Sequence, residues 1–272
     1  MMDKKRMESN LHEEISRHWQ TLRESLEKSP ICPSEIDKAI EEDNFMNFFN
    51  DFLVNTKPQF DIPLSDLGRI YRGVGINEEI ALDNYSRMVP DPERVKGHNR
   101  TNPPGEAFIY LAVIPQRKSR GNKIEKNFIL KTIESELRVR FGDFYTVAQF
   151  TSNSDNPIFD MSGDPRVGLD LDKIAKKMIR KSANIEKLTA QTYVMIFNNE
   201  GIFKPINSDA QEYRSREYAP FQLLAKHFQS KGYANIKYRS TMHHGGTNAL
   251  IFKNLRKWKK LIDNNYYNCS ID

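Results

Sequence analysis

The side chains able to do chemistry are scattered, and none sits in a standard catalytic signature. There is no GxGxxG, P-loop, HExxH or GxSxG. Cys32 and Cys269 are the two cysteines, at opposite ends of the chain. That count excludes a disulfide framework, a CxxC redox pair and a thiolate zinc site. His243 and His244 are adjacent, beside Gly245 and Gly246. Neighbours on a strand face opposite ways, so the pair reads as loop surface and not as two ligands of one metal. No metal is expected.

Other polar residues are harder to set aside. Arg72 closes a short strand candidate at 69–72. Arg100 and Asn102 precede a Pro103-Pro104-Gly105 turn that leads into a strand bearing Tyr110. Glu136 and Arg138 alternate with Leu137 and Val139, and Tyr238 and Ser240 share one face of a late strand. Taken singly, each is ordinarily a salt bridge or a satisfied buried polar group.

The elements that must position them follow from periodicity. Residues 10–28 read as an amphipathic helix through Leu11, Ile15, Trp19, Leu22 and Leu26. Ser34 is the expected N-cap of a second helix, whose face carries Ile36, Ile40, Phe45, Phe48, Phe49 and Phe52. Pro58 and Pro63 mark an expected linker. Strands are expected at 69–72, 107–112, 136–139, 144–150, 237–240 and 249–252. Residues 115–127 and 151–168 read as loops, and 129–133 as a short helix or extended lead-in. Helical spacing returns at 170–199, at 218–230 before Gly232, and at 253–262. The order predicts an α+β fold, with a helical region over 1–60 and a second domain over 61–272.

Composition narrows the class without choosing a function. The chain has 272 residues, 38% of them hydrophobic, with 16 Phe, 11 Tyr and 2 Trp, enough to build a core. No run approaches a membrane span, and no apolar stretch follows the charged Met1 to Arg6, so a cytoplasmic protein is expected. Lys plus Arg is 41 against 36 acids, a formal charge of +5. Such an excess suits an anionic partner: nucleic acid, a membrane surface or a phosphate-bearing small molecule. Basic clusters at Lys173, Lys176, Lys177, Arg180 and Lys181, and at Lys253, Arg256, Lys257, Lys259 and Lys260, are the basis of a nucleic-acid-binding alternative. Solvated helix faces are the more ordinary reading of both.

Taken in order, the polar residues resemble a family. The series runs Tyr71-Arg72, Asn99-Arg100-Thr101-Asn102-Pro103-Pro104-Gly105, then Tyr110-Leu111-Ala112. It continues through Glu136-Leu137-Arg138, Gly142, Val147-Ala148-Gln149-Phe150 and Tyr218-Ala219-Pro220-Phe221-Gln222. It ends with Tyr238-Arg239-Ser240, two glycines, Asn248 and Phe252. Over residues 64–254 this ordered set resembles the RES domain, named for its spaced Arg, Glu and Ser. The resemblance implies a fold like that of ADP-ribosyltransferase toxins, with a mixed, mainly antiparallel sheet. It implies NAD as substrate and cleavage of the nicotinamide–ribose bond, with phosphate or water as acceptor. Protein ADP-ribosylation is the enzymatic alternative. Many members are toxins of bacterial toxin–antitoxin pairs, so an Xre-like antitoxin is the implied protein partner. No membrane partner is expected, nucleic acid is the less favoured one, and a homo-oligomer stays open.

Carried over residue by residue, the resemblance assigns Arg72 and Arg100 to the NAD pyrophosphate, where guanidinium forks bind phosphate oxygens bidentately. Asn102 joins them in binding. Tyr110 packs near the nicotinamide end. Glu136 stabilises the oxocarbenium-like cation or holds a ribose hydroxyl. Ser240 is a short donor to ribose or phosphate and not a nucleophile. Glu134 is the alternative to Glu136, and Arg69 to Arg72. The stretch between Ala112 and Glu136 is longer and more basic than the family pattern.

Overall fold

The computed structural model describes residues 4–28, 38, 41–76, 88, 90–114, 122–151, 155–162, 193, 210–252 and 266–270. In chain order the elements are α1 (Lys4–Lys28), α2 (Asn44–Phe60), β1 (Asp61–Pro63), β2 (Ile70–Ile76), β3 (Ile109–Val113) and α3 (Asn122–Leu137). They continue with β4 (Phe144–Phe150), β5 (Pro157–Asp160), α4 (Gln211–Ser230), β6 (Asn235–Arg239), β7 (Thr247–Ile251) and β8 (Tyr266–Ser270). The fold is α+β, with a mixed, mainly antiparallel sheet. Two compact units divide it. One takes the described residues within Met1–Phe60, Gly97–Pro104 and Gly163–Lys231, the other those within Asp61–Lys96, Gly105–Ser162 and Gly232–Asp272. Among the described residues, no helix is long and apolar enough to cross a membrane.

The first unit is built on helices. On α1, Ile15, Trp19, Leu22 and Leu26 are buried, as their spacing predicts. The Asp43 carboxylate accepts the Met46 N–H at 3.0 Å and caps the start of α2. Phe45 and Phe49 of α2 are buried, whereas Phe48 is 56% exposed and packs beside His18. Rings then build the core. Trp19 lies 5.1 Å from Phe45 and 6.3 Å from Phe221, and Phe49 lies 5.6 Å from Phe228. Helix α4 begins at Gln211, seven residues before the expected start, so Pro220 lies inside it. Its first turns are polar and gave no apolar period; a Glu212–Arg216 ion pair at 2.6 Å braces them. Gly232, with φ 86°, follows the helix end in the expected role.

No linker separates α2 from the sheet. The helix runs through Pro58, and β1 starts at Asp61. Pro63 is tolerated because β1 is an edge strand, paired with β5 only.

The second unit is an eight-stranded sheet of order β1-β5-β6-β7-β3-β2-β4-β8, antiparallel except for β5 with β6. One face carries Ile70, Ile109, Leu111, Val113, Ala148, Phe150 and Ala249 as its core. The other carries Ala112, Tyr145 and Val147, covered by Ile129 and Ile133 of α3. The helix comes close because position 73 is glycine. A Cβ there would lie 2.1 Å from Ile133 Cγ2.

Several expectations are corrected here. Residues 136–139 are not a strand: α3 runs to Leu137 and starts at Asn122, inside the expected 115–127 loop. Alternation of Glu136 and Arg138 with apolar neighbours mimicked a strand, while Ile129, Ile133 and Leu137 recur every four residues. Strand β5 lies within the expected 151–168 loop, held by non-local pairing to β1 and β6. Ser34, the 253–262 helix and, Tyr193 apart, the 170–199 helix lie outside the described residues.

Candidate active site

Glu136 sits in the last turn of α3, and the helix stop after it sets its place. Val139 N–H bonds back to the Glu134 carbonyl at 3.1 Å, and Arg138 N–H to that of Ser135 at 3.3 Å. These are the two bonds of a Schellman motif. Arg138 takes the left-handed conformation normally given to glycine, with φ 55°. Val139 then returns to pack against the α3 core.

The Glu136 carboxylate is held from one side. Ser240 Oγ donates to Oε1 at 2.6 Å, and Asn248 Nδ2 donates to the same oxygen at 2.5 Å. Among the described residues, no donor reaches Oε2. Ser240 lies just after β6, and Asn248 is buried on β7. The Ser240 hydroxyl also accepts the N–H groups of Met242 at 3.2 Å and His243 at 3.0 Å. Its one proton therefore goes to Glu136, so in this arrangement it holds the carboxylate instead of donating to a ligand.

The same loop is tied to α3 one turn earlier. His243 Nδ1 is 2.7 Å from Thr132 Oγ1, and its ring centroid is 4.9 Å from that of Phe128. Phe128, Thr132 and Glu136 recur every four residues and so form one stripe of the helix. His243 thus has a packing role, and His244 is exposed. Among the described residues, no group of three His, Cys, Asp or Glu side chains is placed to hold a metal.

Arg72 lies on β2, where the sheet begins to split. Strands β2 and β3 pair only at Ile70↔Val113 and Tyr71↔Ala112. Beyond that point β2 continues against β4 and β3 against β7. Arg72 is the first residue past the split. Alternation directs it to the face of Ile70 and Val74, opposite the face that Tyr71 and α3 share. Its Nε is buried with no hydrogen-bond partner among the described residues. Burial lowers its pKa to about 10, and the nearby Tyr110 phenol offsets part of that shift. Arg69 is exposed.

Arg100 and Asn102 belong to the first unit; Arg72, Tyr110, Glu136 and Ser240 belong to the second. Asn102 is buried, and Arg100 Nε is buried with no partner among the described residues. Their segment is fastened to α4. Gln211 Oε1 accepts the His98 N–H at 2.8 Å, and Gln222 Nε2 donates to the Asn99 carbonyl at 2.7 Å.

Asn248 was visible in the family series but carried no role there. Its signal was modest: a polar residue on a strand of buried apolar neighbours must find a partner for its amide.

No family model matches this chain, and no curated protein matches it. Among solved structures it is similar to the M. tuberculosis MbcT-MbcA toxin-antitoxin complex, with 13% identity and a TM-score of 0.39 over 80% of this chain and 92% of that one.

Proposed function

We propose that the chain cleaves the nicotinamide–ribose bond of NAD, with phosphate or water as acceptor, and acts as the toxin of a toxin–antitoxin pair. The reading rests on the ordered RES-like residues. The single observation that supports it best is the Glu136 carboxylate, whose Oε1 is held by two donors and whose Oε2 meets no donor among the described residues. In the reaction the glycosidic C–N bond breaks and its electron pair goes to the pyridinium nitrogen. Nicotinamide leaves neutral and needs no acid. Positive charge develops on the ribosyl ring, and Oε2 of Glu136 stabilises that charge or orients a ribose hydroxyl. A phosphate oxygen or a water then bonds to the anomeric carbon, and the water loses a proton to solvent. Arg72, across the sheet from Glu136 at the split between β2 and β3, is the arginine this reading gives to the pyrophosphate; its buried Nε has no partner among the described residues. Arg100 is the second arginine of this reading.

The test is to incubate purified protein with NAD, with and without phosphate, and resolve the products by mass spectrometry. Nicotinamide with ADP-ribose 1″-phosphate, or with ADP-ribose, is expected. Intact NAD after prolonged incubation overturns the reading. Label from NAD appearing on a macromolecule identifies protein transfer instead. For the toxin role, expression is expected to arrest growth and Glu136→Gln to relieve it. An Xre-like antitoxin is the partner this reading implies.

A further inference from the structure

We infer that Asn248 is a positioning residue for Glu136: its amide fixes which carboxylate oxygen is presented to the ligand. The inference rests on the proposed function only for its effect on turnover; the contact itself is independent of it. Asn248 is buried on β7, and its Nδ2 meets Glu136 Oε1 at 2.5 Å. The partners are 112 residues apart in sequence. Ser240 reaches the same oxygen from the β6–β7 loop, 104 residues from Glu136. A carboxylate on a flexible three-torsion stem would otherwise sample several rotamers. Two donors converging on Oε1 select one of them and leave Oε2 as the presented atom. An acceptor in place of Asn248 Nδ2 would face the carboxylate with like charge, and an apolar group would release it.

This separates donation from space-filling, because aspartate matches asparagine in shape and cannot donate when ionised. Asn248→Asp is expected to lower the melting temperature on the order of 5 °C. It is also expected to lower kcat for NAD on the order of 10²-fold, with KM changed by less than about 3-fold, because the lost orientation acts on the charged transition state. The double variant Glu136→Gln with Asn248→Asp removes the facing pair of carboxylates, although one amide cannot both donate to position 248 and accept from Ser240 at the same atom. It is expected to recover part of the melting temperature lost in Asn248→Asp, through relief of like charge, and none of the turnover. A wild-type melting temperature and kcat for Asn248→Asp overturn the inference. So does a double variant no more stable than Asn248→Asp alone. If the wild type leaves NAD intact, the proposed function fails while the melting comparison still decides the contact.

Discussion

Glu134 and Glu136, two residues apart at the end of α3, serve opposite sides of the helix. The Tyr145 hydroxyl on β4 donates to Glu134 Oε1 at 2.5 Å, while Asn248 on β7 donates to Glu136. Two residues on a helix turn through about 200°, whereas on a strand they would share a face. The helix lies over β2 and β3, between those two partners in the strand order. Glu134→Ala is therefore expected to cost about 1 kcal/mol of stability, from one lost hydrogen bond, and to keep NAD turnover. Glu136→Gln is expected to lower turnover on the order of 10²-fold or more. Parallel urea titrations and NAD assays check both. Comparable turnover losses in the two variants would refute the assignment.

Arg72 is expected to trade stability for binding. A buried Nε–H with no partner among the described residues destabilises the fold, and a thioether of similar length does not. Arg72→Met should leave the melting temperature equal or higher, and raise KM for NAD by about 10-fold or more. A marked loss of melting temperature with unchanged KM would make Arg72 structural. Added NAD should also raise the wild-type melting temperature, and raise it less in Arg72→Met.

Gly73 sets the seat of α3. A Cβ at this position meets Ile133 Cγ2 at 2.1 Å, and Ile133 is itself buried. Gly73→Ala is expected to cost about 1–3 kcal/mol and to lower kcat, because the helix that carries Glu136 must shift. Ile133→Ala removes the clashing methyl. The double variant should then lose less stability than the sum of the two singles, by a margin that denaturant titration resolves.

His227 makes the helical unit acid-sensitive. It is fully buried beside Phe49, at a ring distance of 5.8 Å, and neither ring nitrogen has a partner among the described residues. Burial, aided by the Lys231 charge, lowers its pKa from 6.5 to about 4. The unfolded chain thus binds a proton that the folded chain refuses between these values. Stability present above pH 6.5 is lost as pH falls toward 4, and about 2 kcal/mol of it is gone by pH 5. His227→Phe should flatten that part of the stability profile. Urea midpoints at pH 7 and pH 5 for both proteins check it, and equal losses in the two would reject it.

The sequence by itself determined the parts with a local period. The face of α1 and the strands around 109–113, 144–150, 235–239 and 247–251 were legible because alternation or fourfold spacing reports burial directly. The α+β class followed from their order. Tertiary structure decided between two local patterns at Glu136, the fourfold spacing of Ile129, Ile133 and Leu137 winning over alternation. Its neighbours alternate like a strand, and the stop after Leu137 depends on Arg138 accepting a left-handed backbone so that Val139 can rejoin the core. It also decided what each acidic side chain touches. Asn248 and Ser240 meet Glu136 across more than one hundred residues of chain. No local pattern encodes that meeting, since it follows from the order of strands in the sheet and the seat of α3 upon it. The short strands β1, at the sheet edge, and β5 beside it were hidden for the same reason: their hydrogen bonds go to partners far along the chain.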